Sequence, residues 1–171
     1  MQVNSSFTAT DTHGPGKRLV VVMQGCSRRC PGCNAPQAQL DPGRTVETSV
    51  HTFAWQMQCN SFDGLTVTGG EPFEQPGELA RLLTAAKDAG LSTLVYTGYT
   101  WEELHAAFNG IARDLLRNVL VNVDILVDGP WKQHEAQNNL LAPSANQRIL
   151  HLVNGTLREP LTQTALQTIT A

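Results

Sequence analysis

The sequence predicts an α/β fold, an incomplete βα barrel with largely parallel strands, from three observations. Short apolar runs typical of strands alternate along the chain with segments of helical periodicity, and this alternation favours a parallel sheet. Glycine follows four of these runs, which aligns the breaks at the carboxyl edge of the sheet, where α/β proteins place their active sites. The 171 residues fit about five or six βα units, fewer than the eight of a full barrel.

The first half of the chain contains two predicted strands and two predicted helices. Residues 19–24 form a β-branched run and residues 64–68 a shorter one, and each is followed by glycine, which predicts two strands. Residues 45–58 place apolar side chains at helical spacing and predict a helix. Residues 76–89 predict a second helix, because proline lies near its first turn and glycine follows it.

The second half continues the alternation. Residues 91–97 predict a strand, and residues 100–108 predict a helix that opens with a capping box, a threonine followed three residues later by glutamate. Strand-like apolar positions recur in residues 118–127, and residues 147–153 predict a last short strand. The threonine-rich residues 155–171 are interpreted as a short helix or a frayed end.

Composition predicts a single domain over residues 1–171, with its core at about residues 13–153 and a tail at residues 154–171. Hydrophobic residues make up 41% and charged residues 16% of the chain, which excludes a disordered protein. The net charge of −3 does not favour a nucleic-acid binder. No apolar run approaches the roughly 20 residues of a membrane helix, and the first residues do not resemble a secretory signal. We therefore expect a cytoplasmic protein with no membrane or nucleic-acid partner.

Three cysteines follow the first predicted strand in a C-x3-C-x2-C loop, Cys26, Cys30 and Cys33, while Cys59 stands alone. Three thiolates on one tight loop fit a [4Fe–4S] cluster that keeps one iron open to another ligand. A structural zinc site needs four ligands, so the alternative is zinc with His51 or Cys59 as the fourth.

This spacing is the signature of radical S-adenosylmethionine enzymes, and five further segments extend the resemblance. They are residues 13–16 (His-Gly-Pro-Gly), 68–72 (Thr-Gly-Gly-Glu-Pro), 96–99 (Tyr-Thr-Gly-Tyr), 126–129 (Leu-Val-Asp-Gly) and 144–148 (Ser-Ala-Asn-Gln-Arg). Together with the cysteine loop they resemble the activating proteins of anaerobic ribonucleoside-triphosphate reductases, from about residue 13 to residue 152.

The resemblance implies a radical-S-adenosylmethionine type of partial barrel and a specific chemistry. In that family the three cysteines bind three irons of a [4Fe–4S] cluster, and the fourth iron takes the amino and carboxylate groups of S-adenosylmethionine. Reductive cleavage then yields a 5′-deoxyadenosyl radical. The activating enzymes use it to generate a glycyl radical on a partner enzyme such as anaerobic ribonucleotide reductase, with flavodoxin or ferredoxin as electron donor.

Two glycine-containing turns are predicted to bind the cofactor. Gly69, Gly70 and Glu71 follow a strand; the glycines permit close backbone approach, and in the family this segment meets the methionine amino group. Thr97 and Gly98 end the next strand at the same edge, where the hydroxyl is expected to bond the methionine carboxylate or the ribose.

Two polar residues of the later segments complete the predicted cofactor site. Alternation places Asp124 and Asp128 on one side of a strand, and Asp128 is favoured as the site residue because it lies at the carboxyl rim. Arg148 is expected to clamp the cofactor carboxylate or to pair with Asp128. Tyr99 either borders the adenine or packs.

Several cations lie near the cysteine loop in sequence: Lys17, Arg18, Arg28 and Arg29. They either steer an acidic flavodoxin or ferredoxin toward the cluster or form a solvated basic rim. Trp131, like the other two tryptophans, is expected to pack.

Two segments depart from the reductase activators and leave the substrate open. Residues 34–39 lack the aromatic residue that usually follows the last cysteine, and residues 142–147 lack an arginine and a glycine. One alternative is therefore a radical enzyme acting on a small molecule, such as a purine-like heterocycle, or on a peptide. Another is a non-enzymatic iron–sulfur carrier or zinc-binding interaction module, which would have no affinity for S-adenosylmethionine.

Overall fold

The computed structural model describes residues 1–39 and 46–160. Within them, eight strands form one mixed sheet and four α-helices are present. The strands are β1 (Gln2–Thr10), β2 (Lys17–Met23), β3 (Val46–Glu47), β4 (Gly64–Gly69), β5 (Ser92–Tyr96), β6 (Ile125–Asp128), β7 (Arg148–Val153) and β8 (Thr156–Pro160). The helices are α1 (Val50–Cys59), α2 (Pro76–Asp88), α3 (Trp101–Ala107) and α4 (Arg113–Leu120).

The strands lie in the order β3-β1-β2-β4-β5-β6-β7-β8. The central strands β2, β4, β5 and β6 are parallel, as the alternation of strands and helices predicts. The flanking pairs are all antiparallel, so the expectation of largely parallel strands is wrong outside the centre. Hairpin turns join β1 to β2 and β7 to β8, and so short a connection can only produce antiparallel neighbours.

The observed elements differ from the prediction at residues 45–58, at residues 118–127 and at strand β1. The helix predicted for residues 45–58 begins at Val50 instead, after the short strand β3 that pairs with β1. Residues 118–127 are the end of α4 followed by β6, because Val119 and Leu120 belong to a helical face. Strand β1 escaped prediction because most of its side chains are polar and exposed. The capping box of α3 is confirmed, with Thr100 and Glu103 bonding reciprocally.

Apolar side chains cover both faces of the sheet in different ways. The helices pack on one face, where the largest buried cluster lies. The opposite face, with Leu94 and Val127, is covered by Leu141 and Ala142 from the segment between β6 and β7. No helix in the described residues is long and apolar enough to cross a membrane. Residues 161–171 of the predicted tail lie outside the description, and residues 156–160 form β8 rather than a helix.

Arg18 links the amino-terminal ends of the parallel strands through hydrogen bonds. Its side chain is fully buried and donates to the Thr66 hydroxyl, to the Ser92 hydroxyl and carbonyl, and to the carbonyls of Pro15 and Leu65 at 2.7–3.1 Å. Burial lowers the pKa of its guanidinium to about 10. Arg18 is therefore a structural residue, and its predicted place in a basic rim is wrong.

Candidate active site

The carboxyl ends of the parallel strands surround a cavity of about 190 Å³. Its wall consists of the loop after β2, the turns after β4 and β5, and the segment between β6 and β7, with His13 reaching it from the turn between β1 and β2. Eight of the ten predicted site residues line it: Cys26, Cys30, Cys33, Gly69, Gly70, Glu71, Thr97 and Gly98. The structure thus brings the cysteine loop and the two glycine turns together.

Side chains from later segments brace the loop that carries the cysteines. The Ser27 amide and hydroxyl both donate to the Glu74 carboxylate, at 2.7 and 2.5 Å. On the other side of the loop, the Trp131 indole donates to the Gly32 carbonyl at 2.7 Å. The loop is consequently fixed at two points against the rest of the fold.

The three cysteines are arranged in a way that fits an iron–sulfur cluster. Cys26, Cys30 and Cys33 are half-buried and free of disulfides, and all three line the cavity. The Ala35 amide donates to the Cys33 sulfur at 3.4 Å, a contact of the kind that tunes cluster potentials. A cluster binds each thiolate through a different iron, so its three ligands must border one cavity, as these cysteines do.

The zinc alternative finds no support in the same residues. Within residues 1–39 and 46–160, no three cysteine, histidine or carboxylate side chains lie close enough to hold a single metal ion, and this applies to the three cysteines of the loop as well. His51 and Cys59, the proposed fourth ligands, lie at opposite ends of α1, and neither lines the cavity. Cys59 is exposed.

Glu71 is held rigidly in the cavity wall. Its side chain is only 1% exposed. One carboxylate oxygen accepts from the Thr97 hydroxyl at 2.9 Å and from the Phe73 amide at 3.1 Å, and the other accepts from the Gly98 amide at 2.8 Å. The two glycine turns are therefore linked through this one carboxylate.

The surroundings of Glu71 suit a positively charged ligand. Burial raises the pKa of its carboxyl to about 7, against the opposing effect of the three hydrogen bonds. Those hydrogen-bond donors are all neutral, so the carboxylate is desolvated without a countercharge among them. An ammonium group entering the cavity would favour the ionised form and lower this pKa.

The two glycines before Glu71 permit a close backbone contact. A Cβ atom on Gly70 would lie 2.0 Å from the Gly25 carbonyl oxygen, and one on Gly69 would lie 2.6 Å from the Met23 carbonyl oxygen. Gly69 also has a φ of +105°, which side chains rarely adopt. The prediction assigned these glycines to approach of a ligand; the neighbour that they admit in the structure is the backbone leading into the cysteine loop.

The turn after β5 is committed to internal contacts. The Thr97 hydroxyl donates its one proton to Glu71, and its oxygen accepts from the Tyr99 amide at 3.1 Å. In the predicted bond to the cofactor, this hydroxyl could therefore act only as an acceptor. A Cβ atom on Gly98 would lie 2.7 Å from the Arg28 side chain. Tyr99 does not line the cavity. The Arg28 guanidinium lies over its ring in a cation–π contact, 4.5 Å from the ring centroid.

Asp128 and Arg148 lie outside the lining of the cavity and bind each other. Asp128 is fully buried, and its carboxylate accepts from Arg148 Nε at 3.0 Å and from the Trp101 amide at 2.7 Å. Arg148 also pairs with exposed Glu102 at 2.8 Å and lowers the pKa of that carboxyl to about 2. Of the two predicted roles for Arg148, the structure contains the ion pair; cofactor binding by either residue stays a prediction.

Asp124 lies at the other end of β6 and has a structural role. Its carboxylate binds the Lys87 ammonium at 2.9 Å and accepts from the Thr93 amide at 2.8 Å. The shared side predicted for the two aspartates does not bring them together, because they lie at opposite ends of the strand.

Besides Arg28, ten further residues line the cavity without having been assigned a cofactor-binding role from the sequence. They are His13, Asn34, Gln39, Thr68, Tyr96, Gly129, Trp131, Leu140, Pro143 and Gln147. Five of them (His13, Thr68, Tyr96, Gly129 and Gln147) belong to family-like segments, and Asn34, Gln39 and Pro143 belong to the two segments that depart from the reductase activators. Membership in these segments was the available signal. Trp131 and Leu140 carried no such signal, because their positions depend on how the segment between β6 and β7 folds over the sheet.

Comparisons with known proteins agree with this geometry. A family model described as a 4Fe-4S single cluster domain matches residues 12–150. The anaerobic ribonucleoside-triphosphate reductase-activating protein of Pasteurella multocida is 32% identical over 147 residues, 80% of this chain and 89% of the relative. The protein of the same name from Enterobacteria phage T4 is 28% identical over 165 residues, 91% and 97% of the two chains. The pyruvate formate-lyase-activating enzyme of Streptococcus mutans is 36% identical over 101 residues, 56% of this chain and 38% of that enzyme.

Proposed function

Because the chain belongs to the 4Fe-4S single cluster domain family and is a radical S-adenosylmethionine enzyme of the glycyl-radical-enzyme activating type, we propose that it cleaves S-adenosylmethionine reductively and generates a glycyl radical on a partner protein. The observation that carries this proposal is the convergence of the three cysteines, Glu71 and Gly98 on one cavity.

Cys26, Cys30 and Cys33 would hold the [4Fe–4S] cluster as thiolates. When bound together, the reduced cluster and S-adenosylmethionine supply the 5′-deoxyadenosyl radical. Among the described residues no fourth cysteine lines the cavity, which supports a cluster with one iron left for the cofactor. The chain's own contribution is to hold the thiolates in a braced loop and to limit the access of water.

The cofactor would lie along the two glycine turns. Glu71 is the partner proposed for the methionine ammonium, because it is a buried carboxylate with neutral neighbours at the cavity wall. Gly69, Gly70, Thr97 and Gly98 would shape the adjoining wall. Asp128 and Arg148 are proposed to act on the cofactor through the turn after β5, since Asp128 accepts from the Trp101 amide just beyond that turn.

A protein substrate is favoured by the distribution of helices. The four α-helices of the described residues pack on one face of the sheet, whereas the other face is covered by the segment between β6 and β7 and, at Val20 and Val22, by Ala38. This supports an incomplete barrel with an open side that a loop of a larger protein can enter. The relatives that match almost their whole length are reductase-activating proteins, so the proposed partner is an anaerobic ribonucleoside-triphosphate reductase. Flavodoxin or ferredoxin is the proposed electron donor.

A test of this function combines two measurements on anaerobically reconstituted protein. We expect formation of 5′-deoxyadenosine with a chemical reductant, and a glycyl-radical EPR signal when the candidate reductase is added. Alanine at Cys26, Cys30 or Cys33 should abolish both, whereas Cys59→Ala is the matched control and should retain both. Cofactor cleavage without a glycyl signal on any glycyl-radical partner would contradict the proposal.

The second candidate keeps the chemistry and changes the substrate to a small molecule or peptide. Asn34, Gln39, Pro143 and Gln147, from the two segments that depart from the reductase activators, all line the cavity. Product formation that does not require a partner protein would establish this alternative.

A further inference from the structure

A groove of about 520 Å³ adjoins the cavity at the cysteine loop. Three side chains line both spaces, those of Arg28, Cys30 and Trp131. Cys30 is therefore the one cysteine of the loop that borders both the cavity and this groove. We call this space the Cys30 groove.

The Cys30 groove is positively charged and aromatic. Among the residues that the structure describes, Arg28 and Lys132 are the charged side chains that line it, and Tyr99 and Trp131 supply aromatic surface. Arg29, between two of the cysteines, is exposed beside it. The chain as a whole has a net charge of −3, so this concentration of cations is a local exception.

Carboxylates are present near the groove, but they do not line it. Glu103 pairs with Arg28 at 3.3 Å and Glu135 pairs with Lys132 at 2.9 Å. Both acidic side chains lie outside the lining of the groove. They orient the two cations and offset part of their charge, whereas the lining of the groove contains cations and no carboxylate.

We propose that the Cys30 groove is the docking site of an acidic one-electron carrier protein and that the electron reaches the cluster through Cys30. This inference rests on the proposed function, which requires one electron for each cofactor cleaved. In the docking step one electron leaves the reduced centre of the carrier and reduces the cluster, and no covalent bond forms or breaks. Electron transfer slows steeply with distance, so a carrier must bind where a cluster ligand comes nearest to the surface.

The groove has lining residues of its own. Ser27, Pro31, Tyr99, Pro130 and Lys132 line it and do not line the cavity, so the proposal places the carrier beside the cavity rather than in it. Opposite charges would also accelerate the encounter, an effect that weakens with ionic strength. Of the two roles expected for the cations near the cysteine loop, the proposal adopts the steering of an electron carrier. It assigns that role to Arg28, Arg29 and Lys132.

The test measures cluster reduction alone, without S-adenosylmethionine. Reconstituted Lys132→Glu and Arg29→Asp variants are mixed with photoreduced flavodoxin, and the bleaching of the cluster's visible absorption is followed. We expect each variant to be reduced about tenfold more slowly than the wild type at low ionic strength, with the difference closing at high salt. Arg117→Glu, an exposed reversal in the last turn of α4, is the matched control and should keep the wild-type rate.

Chemical reduction separates the possible outcomes. Dithionite needs no docking site, so at high ionic strength, which screens its own negative charge, it should reduce all variants at the wild-type rate. Equal rates with flavodoxin in variant and wild type would overturn the proposal, as would equal slowing by both reductants. In a separate assay with S-adenosylmethionine, dithionite and the candidate reductase, a defect confined to glycyl-radical formation would assign the groove to the substrate protein instead. The reduction assay involves no cofactor cleavage, so its result is independent of the proposed reaction.

Discussion

Glu71 and Thr97 are joined by a 2.9 Å hydrogen bond in which the threonine hydroxyl donates to the buried carboxylate. The bond links the turn after β4 to the turn after β5, and the Gly98 amide reinforces it at 2.8 Å. The carboxylate is thereby fixed in orientation before any ligand arrives, which is the preorganisation that a binding site for a cationic group requires.

Glu71→Gln should weaken binding of S-adenosylmethionine by roughly tenfold to a hundredfold, because a charge-assisted hydrogen bond to the ammonium is replaced by a neutral one. Equilibrium dialysis with the reconstituted protein measures this affinity. Glu47→Gln, at an exposed position on β3, should leave the affinity unchanged. Equal affinity in wild type and Glu71→Gln would remove Glu71 from the cofactor site.

The raised pKa of Glu71 predicts a specific dependence of stability on pH. In the unfolded chain the carboxyl ionises near pH 4.5, whereas in the fold it holds its proton to about pH 7. The folded state binds more protons in this window, so its contribution to the free energy of unfolding is greatest below pH 4.5 and falls as pH rises to 7, by roughly 3 kcal/mol in total.

Urea unfolding of the cluster-free protein at several pH values tests this dependence. The free energy of unfolding of wild type minus that of Glu71→Gln should decrease between pH 4.5 and 7 and level off above it. A difference that is constant, or that increases with pH, would contradict a raised pKa.

Gly70→Ala should destabilise the fold and loosen the cysteine loop. The new methyl group would meet the Gly25 carbonyl oxygen at 2.0 Å, and overpacking of this kind costs about 1–3 kcal/mol. Iron content after reconstitution and thermal unfolding both report the effect. Gly77→Ala in α2 is the matched control, because nothing lies within 4 Å of its added methyl group; it should stabilise by roughly 0.5 kcal/mol.

Asp128→Asn should reduce the free energy of unfolding by roughly 1–3 kcal/mol, since it weakens the bonds to Arg148 and to the Trp101 amide while the residue stays buried. The side chain of Arg148 is 43% exposed, which limits the loss. Asp88→Asn, exposed at the end of α2, should change stability by less than about 0.5 kcal/mol. Urea unfolding measures both, and equal stabilities would show that the buried pair contributes nothing.

Sequence motifs that follow strands of the parallel centre predicted the site well. The cysteine loop and the two glycine turns were placed at one cavity because each follows a strand of the parallel centre, and the rule for carboxyl edges holds there. Outside the centre the rule did not apply: β1 is mostly polar and exposed, and β8 is an edge strand.

Charged residues were harder to place than apolar ones. Arg18 and Arg28 each belong to a pair of adjacent basic residues, yet Arg18 is buried among carbonyls and Arg28 lines the cavity. What separates them is the room supplied by distant residues: a Cβ atom on Gly64 would lie 2.2 Å from the Arg18 guanidinium. Such packing depends on the register between strands, which no local pattern encodes.

The bracing of the cysteine loop also sets an order of assembly during synthesis. Ser27 is fixed by Glu74, and Gly32 is fixed by Trp131, 99 residues later in the chain. A ribosome delivers the chain from its amino terminus, so the loop emerges long before either partner. The three thiols of the nascent protein therefore lack the second of these two contacts until Trp131 has left the ribosomal tunnel.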